Sequence, residues 1–206
     1  MRTADADILI IPGWSGSGPD HWQTRWEKSL KTARRVEQDD WLNPDRAHWV
    51  VAIQTAIAAS TRPVILVAHS LGVVASVHAL TDAPAGQVRG AFLVAPADVD
   101  RAHVWPVTQG HRFNPAVSGF APIPHGPLPC ASALITSAND PYCTLARAHA
   151  LAMGWGSKIM DAGEVGHINA DSGHGPWPEG LMQFGLFMRT LSEPPRSASR
   201  LEQDRF

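Results

Sequence analysis

Apolar residues follow two alternating patterns along the 206-residue chain. Short continuous apolar runs, typical of strands buried on both faces, are separated by stretches in which apolar residues recur every three or four positions, as along one side of a helix. This alternation predicts strands near Val36 and over Ile8–Gly13, Val64–Ala68, Ala91–Asp98, Ala133–Asp140 and Ser157–Gly163. It predicts helices over Pro19–Leu30, Asn43–Ser60, Leu71–Leu80, Thr144–Met153 and Leu181–Leu191.

The first two helices carry start signals. Pro19 suits the first turn of a helix, because the N–H that proline lacks would be unpaired there. Asn43 is of the type that caps helix N-termini, and we expect it to cap the second helix. Trp22, Trp26 and Leu30 recur every four residues, so one apolar face of the first helix can pack on a sheet.

Strands that alternate with helices predict an α/β fold with a mostly parallel sheet and helices on both faces. In such sheets the functional residues gather at the carboxyl ends of the strands. The Pro- and Gly-rich segment Arg101–Pro129 is expected to be a long loop beside those ends rather than a separate cap domain. We expect one domain over 1–191, followed by a polar tail over 192–206 that frays.

The composition excludes several classes of function. A net charge of -2 with scattered lysines and arginines provides no basic stripe for a nucleic acid. No apolar run approaches the eighteen or so residues of a membrane span, and the acidic N-terminus does not resemble a signal peptide, so we expect a cytoplasmic protein without a membrane partner. The cysteines and histidines lack the spacings of metal sites, so no metal or cofactor is expected.

Ser70 lies where a predicted strand ends and a predicted helix begins, in the sequence AHSLG. This stretch differs by one methyl group, at Ala68, from the G-x-S-x-G turn that exposes a nucleophilic serine. The turn would place the Leu71 backbone N–H at a helix N-terminus, where it can stabilise an oxyanion. The alternative is a serine that only caps the helix.

A serine nucleophile needs a base and an acid, which in this type of fold follow it in the order Asp then His. Asp140 and His167 each follow a predicted strand and fit that order. His174 is the alternative base, whereas His69 is expected to pack because neighbouring side chains at such a turn point in different directions. Asp98 and Asp100 are the alternative acids.

The loop after the first strand, Pro12–Gly18, is small and flexible. We expect the backbone N–H of Trp14 to be the second oxyanion donor. A phosphate-binding loop is the alternative, but neither a G-x-G-x-x-G motif nor a Walker-type lysine is present.

Four stretches, PGWSGSGPDHWQTRW, AHSLG, SANDPYC and GHINADSGHGPWPEG, resemble the retinoblastoma-binding-protein-9-like serine hydrolases. The resemblance spans nearly the whole chain. It implies a compact α/β-hydrolase fold without a separate cap domain, with Ser70, Asp140 and His167 at the nucleophile, acid and base positions. Esterase-like hydrolysis of a small acyl substrate is the activity it implies.

A protein-binding module on a hydrolase scaffold is the alternative function. Eight tryptophans and the family's name motivate it. Tryptophan is more often a core residue, and a retained triad would be unusual in an adaptor, so we expect an enzyme.

Overall fold

The computed structural model describes residues 1–81, 86–101 and 105–192. Its strands are β1 (Asp7–Ile11), β2 (Ala33–Arg35), β3 (Val64–Ser70), β4 (Val88–Pro96), β5 (Val107–Thr108), β6 (His111–Arg112), β7 (Ala131–Thr136) and β8 (Lys158–Asp161). Six of them form one sheet in the order β2-β1-β3-β4-β7-β8, and every neighbouring pair is parallel. The predicted α/β class and parallel sheet are confirmed.

The helices lie between the strands, as the periodicity predicts. They are α1 (Trp22–Ser29), α2 (Arg46–Ala58), α3 (Leu71–Thr81), α4 (Pro115–Ser118), α5 (Leu145–Trp155) and α6 (Pro178–Thr190). A short 3₁₀ turn, Thr3–Asp5, precedes β1.

Each face of the sheet has its own apolar core, because successive side chains of a strand point to opposite faces. On one face Leu9, Leu66 and Leu93 pack with side chains of α2, α3 and α5. On the other, Ile10 and Val67 pack with side chains of α1 and α6. The helices therefore cover both faces, as predicted.

Two predicted helix starts are wrong. Helix α1 begins at Trp22, and His21, not Pro19, provides the cap by accepting a hydrogen bond from the Gln23 N–H. Helix α2 begins at Arg46, and Asp45 rather than Asn43 is the N-cap. In both cases a later side chain can reach an unpaired N–H of the first turn, which decides the start of a helix.

The segment predicted as an irregular loop, Arg101–Pro129, contains some regular structure. Strands β5 and β6 pair as a small antiparallel hairpin, and α4 follows, capped by Asn114. Proline at the first position of α4 favours this short helix instead of preventing it. The sequence pattern did not predict this helix. Residues 102–104 of this segment lie outside the described residues.

The predicted polar tail, 192–206, lies outside the described residues apart from residue 192. Within the part of the chain that the structure describes, no helix has the length and apolarity needed to cross a membrane.

His21, the N-cap of α1, is buried, with its ring 4.9 Å from the ring of His69. Burial is the main cause that lowers the pKa of His21 to about 3, with smaller contributions from His167, Arg35 and His174. The side chain is therefore neutral in the folded protein from about pH 3 upward, whereas in an unfolded chain a histidine takes up a proton below about pH 6.5. Acidification from pH 6.5 toward 3 thus favours the unfolded state, and the stability is restored above pH 6.5.

We expect His21→Asn to flatten this pH dependence, because asparagine keeps a cap acceptor but cannot titrate. Between pH 6.5 and 5 the free energy of unfolding should fall less steeply in the variant than in the wild type, by up to about 1.4 kcal/mol per pH unit. Urea denaturation at several pH values measures the slopes. The exposed His125→Asn serves as the control, and equal slopes for His21→Asn and wild type would contradict the assignment.

Candidate active site

Ser70, Asp140 and His167 come together at the carboxyl edge of the sheet. Ser70 is the last residue of β3, Asp140 follows β7, and His167 follows β8. These strands run parallel within one sheet, so their carboxyl ends lie on the same side. Residues far apart in the chain thereby become neighbours.

The three side chains form one hydrogen-bonded row. The Ser70 hydroxyl lies 2.8 Å from Nε2 of His167, and Nδ1 of His167 lies 2.9 Å from both carboxylate oxygens of Asp140. An ionised carboxylate only accepts hydrogen bonds, so Nδ1 of His167 carries the proton and Nε2 can accept from Ser70. The imidazole is thus oriented to take the hydroxyl proton.

The turn at Ser70 depends on two close approaches by glycine. Ser70 has a φ of +56°, a strained value for a residue with a side chain. A Cβ on Gly72 would lie 2.4 Å from the carbonyl oxygens of Ile11 and Pro12, and a Cβ on Gly13 would lie 2.7 Å from Cβ of Ser70. The loop after β1 therefore passes directly against the serine turn, and glycine is required in both of these backbone segments.

The Asp140 side chain is only 2% exposed and is held from two directions. Besides His167, the backbone N–H of Tyr142 donates to Oδ1 at 2.9 Å. The preceding Asn139 accepts a hydrogen bond from the Gly166 N–H, which ties the loop after β7 to the loop after β8. The acid and the base are thus fixed relative to each other by main-chain contacts as well as by their own bond.

The backbone around His167 is anchored by two side chains that the sequence reading did not assign to the site. Nε2 of His69 lies 2.9 Å from the His167 carbonyl oxygen, and the Trp22 indole N–H donates to the Ile168 carbonyl at 2.9 Å. The prediction that His69 packs is incomplete, because it also forms this hydrogen bond. Its position beside Ser70 was the available signal, but its partner is 98 residues away in the chain.

The proposed oxyanion donors, Trp14 and Leu71, both border Ser70. Leu71 is the first residue of α3, so its N–H has no acceptor within the helix. In the turn after β1, the Ser15 N–H donates to the Trp41 carbonyl and the Gly16 N–H to the Gly13 carbonyl. Trp14 lies between these residues and Gly13, which closely approaches Ser70, so its backbone N–H is near the nucleophile.

The alternative acids are bound elsewhere. Asp98 is 1% exposed and pairs with Arg147 at 3.3 Å, while Asp100 binds another nitrogen of the same guanidinium. The alternative base, His174, contacts the Ser172 hydroxyl at 3.1 Å. The structure therefore groups Asp140 and His167 with Ser70, and places Asp98, Asp100 and His174 in other contacts.

A cleft of about 360 Å³ opens above Ser70. One side consists of four aromatic residues, Trp14, Trp105, Phe113 and Tyr142, which we call the aromatic wall. Its rings contact one another in turn, and the Tyr142 ring meets the His167 imidazole edge to face at 4.7 Å. The lining also includes the polar residues Ser15, Asn169 and the exposed Asp171.

Known structures share this architecture. A chain from Pectobacterium atrosepticum described as a YdeN-like hydrolase is 32% identical, with a TM-score of 0.78, over 92% of this chain and 94% of that one. The ydeN gene product of Bacillus subtilis is 19% identical, with a TM-score of 0.69, over 88% and 98%. Thermogutta terrifontis esterase 2 is 15% identical, with a TM-score of 0.62, over 94% and 88%. The last two show likeness of fold alone.

A comparison with curated proteins gives no match. The sequence profile of the family described as serine hydrolase matches residues 8–185, a range that includes the serine turn and the loops that carry Asp140 and His167. Together with the YdeN-like relative and the fold, in which the described residues form one compact domain, this match shows that the chain belongs to the serine hydrolase family, with an α/β-hydrolase fold.

Proposed function

We propose that this protein is a carboxylesterase-like serine hydrolase that cleaves small acyl esters through a Ser70–His167–Asp140 triad. The observation that carries the proposal is the continuous row of hydrogen bonds from the Ser70 hydroxyl to the buried Asp140 carboxylate. The resemblance of four motifs to retinoblastoma-binding-protein-9-like hydrolases supports membership of that narrower family, which we also propose. We further propose a cytoplasmic location.

The chemistry follows from the proton positions. His167 Nε2 takes the proton of Ser70 as the oxygen attacks the ester carbonyl, and the resulting imidazolium is stabilised by Asp140. The imidazolium then protonates the departing alcohol, which leaves an acyl group on Ser70. His167 next removes a proton from a water that attacks the acyl carbon. The bond between Ser70 and the acyl group then breaks, the carboxylic acid leaves, and His167 returns the proton to the Ser70 oxygen.

Charge develops on the carbonyl oxygen at each attack. We infer that the backbone N–H groups of Trp14 and Leu71 receive it, because both border the nucleophile and the second lies at the N-terminus of α3. The helix dipole adds to the stabilisation there. Preorganised donors of this kind contribute about 3 to 4 kcal/mol each to transition-state binding in serine hydrolases.

The cleft suits a compact acyl group. Its volume of about 360 Å³ is at the small end for ligand sites, and the aromatic wall offers an apolar surface beside the imidazole. An ester of a short carboxylic acid can place its acyl group there and its alcohol toward the polar lining residues. An esterase among the solved structures with this fold is compatible with that substrate class.

The main argument for the alternative, a protein-binding module, was the number of tryptophans, and their burial weakens it. Six of the eight tryptophans are buried, and the other two are partly buried against the core. Tryptophans that pack the interior are not available to a partner. A small-molecule substrate therefore remains the proposed ligand.

Ser70→Ala should abolish hydrolysis of p-nitrophenyl butyrate, with a loss of about 10⁴- to 10⁶-fold in turnover, because it removes the attacking oxygen. The wild type should also be labelled covalently by a fluorophosphonate probe, and the variant should not. Ser29→Ala, on α1 and outside the cleft, is the matched control for both measurements. A Ser70→Ala enzyme that keeps a tenth of the wild-type rate would refute Ser70 as the nucleophile.

Asp140→Asn should lower kcat by as much as about 10⁴-fold, because the amide favours the wrong imidazole tautomer. Asp98→Asn removes a charge from the buried pair with Arg147, so it should lower the thermal midpoint while kcat of the folded enzyme stays within about threefold of wild type. Activity assays and thermal denaturation of both variants separate the two roles. The opposite pattern of kcat would assign the acid to Asp98.

Short esters should be better substrates than long ones. In a series of p-nitrophenyl esters from acetate to dodecanoate, kcat/KM should be highest for the short acyl chains and fall for octanoate and dodecanoate, because the cleft holds only a compact group. A higher kcat/KM for dodecanoate than for butyrate would contradict this assignment.

A further inference from the structure

Two consecutive residues, His69 and Ser70, contact the same distant residue in two different ways. The Ser70 hydroxyl bonds to the His167 ring at 2.8 Å, and the His69 ring bonds to the His167 backbone carbonyl at 2.9 Å. Since His69 and Ser70 are consecutive residues at the end of β3, the side chain and the main chain of His167 are both positioned relative to the nucleophile.

His69 is held firmly enough to act as such a reference. It is 4% exposed, and its ring contacts the rings of His21, Trp22 and His167 at centroid distances of 4.9, 6.0 and 4.9 Å. A carbonyl oxygen can only accept, so Nε2 of His69 carries a proton and donates it. Burial is the main cause that lowers the pKa of His69; the charges of His167, His21 and His174 lower it further, and the hydrogen bond to the His167 carbonyl raises it.

The loop that carries His167 needs an external reference because its own backbone is irregular. Gly166 and Ile168, on either side of His167, both have left-handed φ values of +65° and +48°. Such a chain has no repeating ladder of hydrogen bonds to hold it. Within the described residues, the hydrogen bond to the His167 carbonyl comes from His69.

We propose that His69 is a positioning residue for hydrolysis, which sets the His167 imidazole against Ser70 by donating its Nε2–H to the His167 carbonyl oxygen. The proposal rests on the proposed function, in which His167 is the base. A base must be held within a fraction of an ångström of its productive position, and a displacement of about 1 Å can cost on the order of 100-fold in rate. His69 acts through His167 and does not itself exchange a proton with the substrate.

Three substitutions separate the hydrogen bond from packing. His69→Phe keeps a buried ring without the donor, and we expect kcat to fall about 10- to 100-fold with KM within about threefold of wild type. In His69→Gln the amide nitrogen lies as many bonds from the backbone as Nε2 of histidine, so kcat should return to within about fivefold of wild type. In His69→Asn the donor is one bond too short, so kcat should resemble that of His69→Phe.

His174→Phe is the matched control, since His174 belongs to the same loop but contacts Ser172 and Trp177 instead of the proposed triad. It should leave kcat unchanged. Hydrolysis of p-nitrophenyl butyrate by each folded variant gives kcat and KM, and thermal denaturation shows that the comparison is made on folded protein. If His69→Phe does not fold, the comparison of the glutamine and asparagine variants decides the question.

Equal kcat values for His69→Gln and His69→Asn, or a loss that appears in KM instead of kcat, would overturn the positioning role. Failure of the proposed function is recognised separately. In that case Ser70→Ala would retain its activity or its fluorophosphonate labelling, whatever the His69 variants do. A wild-type rate in His69→Phe with an inactive Ser70→Ala would leave the triad in place and refute only the role of His69.

Discussion

The active site depends on a close crossing of two backbone segments beside the reactive serine. The chain after β1 passes so near the turn from β3 to α3 that a methyl group on Gly72 would overlap two of its carbonyl oxygens. This contact holds Ser70 in its left-handed conformation and brings the Trp14 loop beside it. The nucleophile and both proposed oxyanion donors thus depend on one place where glycine is the only residue that fits.

Two buried residues, Trp22 and His69, both pack in the core and hold the backbone around His167. Trp22 belongs to the core between α1 and the sheet, yet its indole N–H holds the carbonyl that follows His167. His69 is buried in the same region and holds the carbonyl of His167 itself. Protein interiors are packed as densely as organic crystals and transmit small displacements. The position of the His167 imidazole therefore depends on the packing of this core.

Two buried carboxylates follow neighbouring strands of the sheet, at the same edge, and meet different partners. Asp98 meets the permanently charged Arg147, and Asp140 meets His167. A buried carboxylate requires a partner, and the nature of the partner decides what it can do. Beside an arginine the charge is neutralised in a static pair. Beside an imidazole whose other nitrogen meets a serine hydroxyl, the same group can stabilise a charge that forms only during a reaction.

The local patterns of the sequence were sufficient to predict the alternation of strands and helices, the parallel sheet and the position of Ser70, because each depends on residues close together in the chain. The helix starts and the hairpin with α4 were missed, since single side chains reaching nearby N–H groups decide them. The sequence also favoured Asp140 over Asp98 as the partner of His167, but the contact between these two side chains, and the bond from His69 to a carbonyl 98 residues away, appeared only in the tertiary structure. Hydrophobic periodicity reports which face of an element is buried, but a buried polar group finds its partner only when the sheet brings distant loops to one edge.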